Sequence, residues 1–313
     1  MKQCLVTGGF GFIGSHLVEG LLARGCAVRV LDDLSTGRPA NLAAVAERVD
    51  FIRGSITAAE DVDRAVAGCD TVFHLAALPS VVKSVEDPLM SHEVCATGTL
   101  RVLDGARRLG VKRLVYAASS SAYGDQPGAV RTEDDALMPM SPYAAAKLAG
   151  EHYCGCFTAV YGLETVRLRF FNVFGPRQDP KSPYTGVIAL FIAAMSEGRA
   201  PTIFGDGLQT RDFVYVANVV QALMLAAQAE NVVGKVFNIG NGGSATVLDL
   251  VKDLNELLHK NLEPKLLPPR AGDVRHSQAD IARAWRDLGY APSISFRDGL
   301  ALTLADHNAN ARK

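Results

Sequence analysis

In the first half of the chain, short apolar runs alternate with longer stretches whose apolar residues recur every three or four positions. Gln3–Thr7, Ala27–Asp32, Asp50–Arg53, Thr71–His74 and Arg113–Ala118 are compact, rich in β-branched or other apolar residues, and read as strands. Between them, Gly14–Arg24, Ala58–Ala67 and Val94–Leu109 carry helical spacing. Strand, helix, strand in this rhythm predicts an α/β fold. Parallel strands need a crossover, and the helices supply it while covering both faces of the sheet. Right-handed crossovers make the sheet doubly wound. Later, Tyr143–Tyr161 and about Val216–Ala229 read as helices, and Leu266–Gly272, with Pro268 and Pro269, as a loop. The expected division is a first domain over 1–172 that the chain rejoins near 210–240. A smaller mixed α/β region is then made from 173–209 and 241–313.

Composition changes this picture little. Hydrophobic residues make up 48% and charged residues 21% of 313, ordinary for a globular protein. A net charge of -1 gives no positive field for nucleic acid, and clusters such as Arg107-Arg108 read as solvated helix faces. No apolar run approaches the roughly 20 residues that span a bilayer. The opening MKQCLVTGG lacks a charged leader with a following apolar stretch, so the expectation is a cytoplasmic protein with no membrane partner. Six cysteines in a chain this long suggest thiols. Cys154 and Cys156 lie two apart on a predicted helix, do not share a face, and read as buried or half-buried thiols with no metal.

Chemistry enters with VTGGFGFIGSH, which carries Gly8, Gly11 and Gly14 between a strand and a helix. Glycines there allow a tight turn and close approach of backbone to a pyrophosphate, and the helix N-terminus offers free N–H groups and a positive dipole end. Asp32 ends the second strand, where a carboxylate accepts hydrogen bonds from ribose hydroxyls and repels a 2′-phosphate. The sheet is therefore of Rossmann type, and NAD is favoured over NADP. Further on, VYAASSSAYGD places Ser119, Ser120 and Ser121 after an apolar strand. SPYAAAK sets Tyr143 and Lys147 on one helix face, and RFFNVFGPR carries Phe171 and Asn172. A free phenol has a pKa near 10. A nearby ammonium and a positive nicotinamide ring favour the phenolate, and a serine hydroxyl can hold the reacting oxygen and relay its proton.

With these motifs the chain resembles the extended short-chain dehydrogenase/reductases over essentially its whole length, and within them is similar to the UDP-sugar 4-epimerases. The resemblance implies that Tyr143 is the catalytic base, that Lys147 holds the nicotinamide ribose and lowers the tyrosine pKa, and that Ser119 is the hydroxyl partner. It extends the cofactor contacts to Phe12 and Ile13, Ser35 and Gly37, Ser55 and Ile56, Leu75, Ala76 and Ala77, and Phe171. On the substrate side it implies Ser121 near the sugar, Asn172 and Val187 along the nucleotide sugar, and Thr202 and Phe204 near the uracil. PTIFGDGLQTRDFVYV and PPRAGDVRHSQADI supply Arg211 and Arg270 for the diphosphate and Asp273 for the ribose. Two departures stand out: Ser55 precedes Ile56 where the family has Asp, and Cys95 stands where an Asn is usual.

Dehydratases of this superfamily carry Asp-Glu just after the hydroxyl residue, and decarboxylases carry a glutamate in that strand end. Here those positions are Ser120 and Ser121, which favours epimerisation. Ser277 falls where a bulky aromatic restricts the pocket to glucose and galactose, so its small side chain implies the UDP-N-acetylglucosamine and UDP-N-acetylgalactosamine pair. The UDP-glucose pair, dual specificity, a net reductase and a non-catalytic NAD-binding regulator are the alternatives. The family also implies a homodimer through about Pro88–Leu109 and Tyr143–Tyr161, and the N-acetyl subgroup suggests a role in supplying polysaccharide precursors.

Overall fold

A computed structural model describes residues 1–180, 186–269 and 274–311. Seven parallel strands form the central sheet. Its first five are β1 (Gln3–Thr7), β2 (Ala27–Asp32), β3 (Val49–Arg53), β4 (Thr71–His74) and β5 (Arg113–Ser119). Strands Glu164–Phe170 and Val236–Ile239 complete it, in the order Val236–Ile239, Glu164–Phe170, β5, β4, β1, β2, β3. Strands buried on both faces need no alternation, and Cys4, Leu5 and Val6 are all fully buried.

Helices cover both faces. Helix α1 (Phe12–Ala23) packs Leu17, Val18 and Leu21 with Val219 and Leu223 of helix Val216–Gln228 on one face. Val62 and Val66 of helix Ala59–Val66 meet Val102 and Leu103 of helix Gly98–Arg108 on the other. A third cluster, with Phe174, Phe191, Phe213, Leu250 and Leu254, forms the core of the later region. That region adds short pairings: Thr210–Arg211 between Ala245–Thr246 and His276–Ala279, with Arg211 in register with Ser277, and Asn172–Phe174 beside Phe213–Tyr215.

Strand order reverses direction between β1 and β4, which opens a crevice above their C-terminal ends. Helix α1 starts there because two glycines permit it. Gly8 has φ +71°, and a Cβ on it would lie 2.9 Å from the Ala76 backbone. A Cβ on Gly14 would lie 2.1 Å from the Gly8 carbonyl oxygen. Gly11, the N-cap, offers no side chain, so the first N–H groups of α1 stay open to the crevice.

Two expectations need correction. Leu266 and Leu267 are not loop but belong to strand Lys265–Leu267, parallel to Thr202–Phe204; Pro268, with no N–H to donate, follows its end. Val94–Leu109 is helical through Arg108, as expected, with one irregularity: a π-type turn over Glu93–Thr97 joins Pro88–His92 to Gly98–Arg108 without interrupting the helical backbone and tucks Cys95 fully inside. Cys154 is buried, but Cys156 is exposed, since residues two apart point to different sides of the helix. Arg107 and Arg108 lie on the helix surface as expected, paired to Asp104.

Gly14→Ala tests the close approach of α1 to β1. The variant is expected to lose about 1–3 kcal/mol in urea unfolding, since the helix must shift to admit a methyl group. Wild-type stability would mean that α1 can back away freely.

Candidate active site

Above the crevice lies a cleft of about 730 Å³. Gly8, Gly11, Phe12, Ile13 and Gly14 line it from the first turn, and Asp32, Ser35, Ser55 and Ile56 from the ends of β2 and β3. Leu75, Ala76 and Ala77 follow β4, while Ser119, Tyr143, Lys147, Phe171, Asn172 and Val187 form its other end. Gly37 stands beside it: a Cβ there would lie 2.8 Å from Asp32 Oδ1, so the loop closes tightly around this carboxylate.

Each wall is fixed by hydrogen bonds. Asp32 accepts from the backbone N–H groups of Phe10 at 2.9 Å and Leu34 at 2.8 Å. Burial pushes its carboxyl above the ordinary value, and these two bonds work against the rise. On the β4 side, Thr99 Oγ1 donates to the Cys95 carbonyl at 2.7 Å, so it accepts from Nε2 of His74 at 2.9 Å. Thr7 Oγ1 then donates to His74 Nδ1 at 2.8 Å and accepts from Leu75 and Ala76 N–H at 3.1 Å each. Burial holds His74 neutral, lowered to about 3, as this relay requires. The relay anchors Leu75 and Ala76 beside Gly8.

At the other end of the cleft, Ser119 Oγ lies 2.8 Å from Ser121 Oγ and accepts the Ser121 N–H at 3.2 Å. Ser121 thus supports Ser119 and does not itself line the cleft. Tyr143 and Lys147 come from helix Pro142–Tyr161, where Ser141 caps the start by accepting the Ala144 N–H at 3.2 Å. Lys147 is 3% exposed, and its ammonium lies 4.2 Å from the centre of the Tyr116 ring. Burial lowers it to about 8, with Cys95, Cys154 and Glu151 opposing the change. Burial raises the Tyr143 phenol, Cys95 adds to the rise, and hydrogen bonding to Ser119 opposes it. The ammonium expected to lower the phenol does not outweigh burial in this geometry.

The remaining predicted substrate residues lie on two separate strand pairings. Arg211 and Ser277 are strand neighbours, and Thr202 and Phe204 share a strand; none of the four lines the cleft. Arg270 and Asp273 lie outside the described residues. The sequence reading missed Pro79, Met90, Gln178 and Phe213, which line the cleft. Gln178 carried a signal, standing just beyond RFFNVFGPR. The reading also missed Asp212, a fully buried carboxylate beside Arg211. It accepts from Asn241 at 2.6 Å and from Gly242 and Ala279 at 3.1 Å, stitching the strand of Arg211 to that of Ser277; burial pushes it up to about 6.

Glycines that leave room for a pyrophosphate, an uncapped helix N-terminus facing it and a buried acid at the end of β2 all fit a dinucleotide. A family model for the NAD dependent epimerase/dehydratase family matches residues 4–240. The chain belongs to that family. It is 41% identical to the UDP-glucose 4-epimerase of Mycolicibacterium smegmatis over 311 residues, covering 96% of this chain and 97% of that one. Two solved structures share the fold, each covering 99% of both chains with a TM-score of 0.94. One is the Thermotoga maritima UDP-glucose 4-epimerase with UDP-glucose, at 39% identity. The other is the Methanobrevibacter ruminantium UDP-N-acetylglucosamine 4-epimerase with UDP-N-acetylmuramic acid, at 37%. The chain is thus an NAD-dependent enzyme whose relatives include isomerases of nucleotide sugars. Among the described residues, no helix is long and apolar enough to cross a membrane.

The buried amine makes stability depend on pH. A lysine whose folded pKa is lowered takes up fewer protons than the unfolded chain between about 8 and 10.5, so stability from this site rises with pH across that window. Below it, the ammonium carries a desolvation cost. Lys147→Met should therefore equal or exceed wild type in urea stability at pH 7, by up to about 3 kcal/mol, with the advantage shrinking by pH 10. A clear loss of stability at pH 7 would show that the ammonium is well solvated or paired.

Proposed function

We propose that the protein is a UDP-sugar 4-epimerase that interconverts UDP-N-acetylglucosamine and UDP-N-acetylgalactosamine. The observation that carries the reaction is the reacting end of the cleft. Tyr143, Lys147 and Ser119 line it together, and the residues after Ser119 are the serines 120 and 121, with no acid to drive elimination. Tyr143 takes the C4 hydroxyl proton, with Ser119 holding the oxygen. NAD, which Gly8, Gly11, Asp32 and Lys147 would hold in the cleft, would supply the acceptor and donor of the C4 hydride. The 4-keto sugar turns about its diphosphate while Asn172, Val187 and the arginines 211 and 270 hold the nucleotide, and Tyr143 returns the proton. The sugar must turn while the nucleotide stays fixed, so anchoring groups belong on the nucleotide and room belongs around the sugar.

The choice of sugar rests on Ser277, which is half-buried and in register with Arg211; it lies outside the cleft lining, and its small side chain, at the position the resemblance places beside the sugar, would leave volume for an acetamido group. The Methanobrevibacter ruminantium enzyme, named for the N-acetylated sugar, is among the similar structures, and so are enzymes named for the glucose pair. A homodimer fits the surface: helix Pro142–Tyr161 exposes Val160 and Tyr161, and Leu89 on helix Pro88–His92 is 81% exposed. A cytoplasmic location and the supply of polysaccharide precursors accord with this reading.

Purified protein incubated with each UDP-sugar without added reductant, and resolved by anion-exchange chromatography, should convert the N-acetyl pair faster than the glucose pair. Conversion of UDP-glucose alone would remove the substrate assignment and keep the reaction. Ser277→Tyr should reduce N-acetyl turnover about 10-fold or more while sparing the glucose pair, on the scale that steric discrimination reaches. Tyr143→Phe should lower turnover about 100-fold or more with NAD retained.

A further inference from the structure

Beside the reacting groups, and outside the lining of the cleft, lies a cluster of buried charge. Arg169 on strand Glu164–Phe170 and Glu151 on helix Pro142–Tyr161 each expose only 3% of their side chains. Arg169 Nε donates to Glu151 Oε2 at 2.9 Å and Nη2 to Oε1 at 2.6 Å, a two-pronged pair. Its Nη1 donates to the Tyr123 hydroxyl at 2.8 Å, which donates in turn to Asn238 Oδ1 at 2.6 Å.

The partners of this guanidinium belong to different parts of the reacting constellation. Glu151 is one turn beyond Lys147 and two beyond Tyr143 on the same helix. Tyr123 ends the 3₁₀ turn Ser120–Tyr123, whose N-cap is Ser119. Arg169 itself is in register with Ala118, next to the pairing of Ser119 with Phe170. The guanidinium thus bridges the helix that carries the base and the turn that carries its hydroxyl partner. A buried ion pair is a poor way to gain stability, since apolar side chains of similar volume hold elements together as well or better. What they do not supply is direction. The planar fork fixes both the distance and the rotation of the helix against the turn.

We propose that Arg169 is a positioning residue that sets Tyr143 and Lys147 in register with Ser119 and Ser121, acting through Glu151 on one side and Tyr123 on the other. The proposal rests on the 4-epimerase reading for the turnover that reports it.

The test uses full-length protein carrying its NAD. In the double variant Glu151→Leu/Arg169→Met, the pair becomes apolar and neither of its own charges is left without the other. It is expected to fold, retain NAD and bind UDP as wild type does. Its kcat should fall roughly 10- to 100-fold, the scale of a small misplacement of reacting groups, with KM little changed. Tyr123→Phe keeps the ion pair and releases only the turn; its kcat should fall in the same direction, by less. Arg169→Lys keeps the charge without the fork and should not restore wild-type kcat. Wild-type kcat in the folded double variant would overturn the proposal, and so would wild-type kcat in Tyr123→Phe if the double variant does not fold. A readout independent of turnover is the phenol titration of Tyr143, taken as the ultraviolet difference between each protein and its Tyr143→Phe counterpart. It should shift when Ser119 moves away. An unmoved titration in a protein that converts no UDP-sugar would reject both proposals, and a shifted one would reject only the reading of the reaction.

Discussion

Helix α1 meets the end of β1 so closely that no side chain fits between them. The Gly14 position lies against the Gly8 carbonyl oxygen, and Gly8 lies against the backbone of Ala76. This contact fixes where the uncapped N-terminus of the helix points, which is into the crevice where the strand order reverses. Everything else in the cleft is arranged around that point. Asp32 closes one end with its two backbone donors, and the Thr7–His74–Thr99 relay holds the wall beside Gly8.

The other end of the cleft runs against folding. A lysine ammonium and a tyrosine phenol sit where burial disfavours the charged form of each. Tyr116 offers its ring face to the ammonium, and its hydroxyl donates to the Lys147 carbonyl at 3.1 Å. The surrounding core offsets this cost, since both faces of the sheet are packed by continuous apolar clusters. Perturbed groups concentrated at one end of a cleft are what a proton-transfer site requires.

The sheet was legible because fully buried parallel strands read as short apolar runs, and the crossover helices as amphipathic stretches between them. The dinucleotide end was legible because glycine spacing and a strand-ending acid are set by local backbone geometry. Legibility faded where chain neighbours do not decide the structure. The π-type turn at Glu93–Thr97 lies within a continuous helix, where Cys95 packs against Ala146 and Tyr143, and helical spacing alone does not distinguish it from an α turn. Strand Lys265–Leu267 exists because Thr202–Phe204 is there to pair with it. Asp212 and the Arg169–Glu151 pair were silent because a buried charge is spelled like an exposed one; only its partners in space distinguish the two.

The central claim is that one hydride leaves and returns to the same carbon of the sugar within a single binding event. UDP-N-acetylglucosamine labelled with deuterium at C4, incubated with the protein in ordinary water, tests it most directly by mass and proton NMR analysis of the product. The account predicts UDP-N-acetylgalactosamine with deuterium retained at C4. Product in which C4 carries solvent hydrogen, or whose label is lost to exchange, would contradict it.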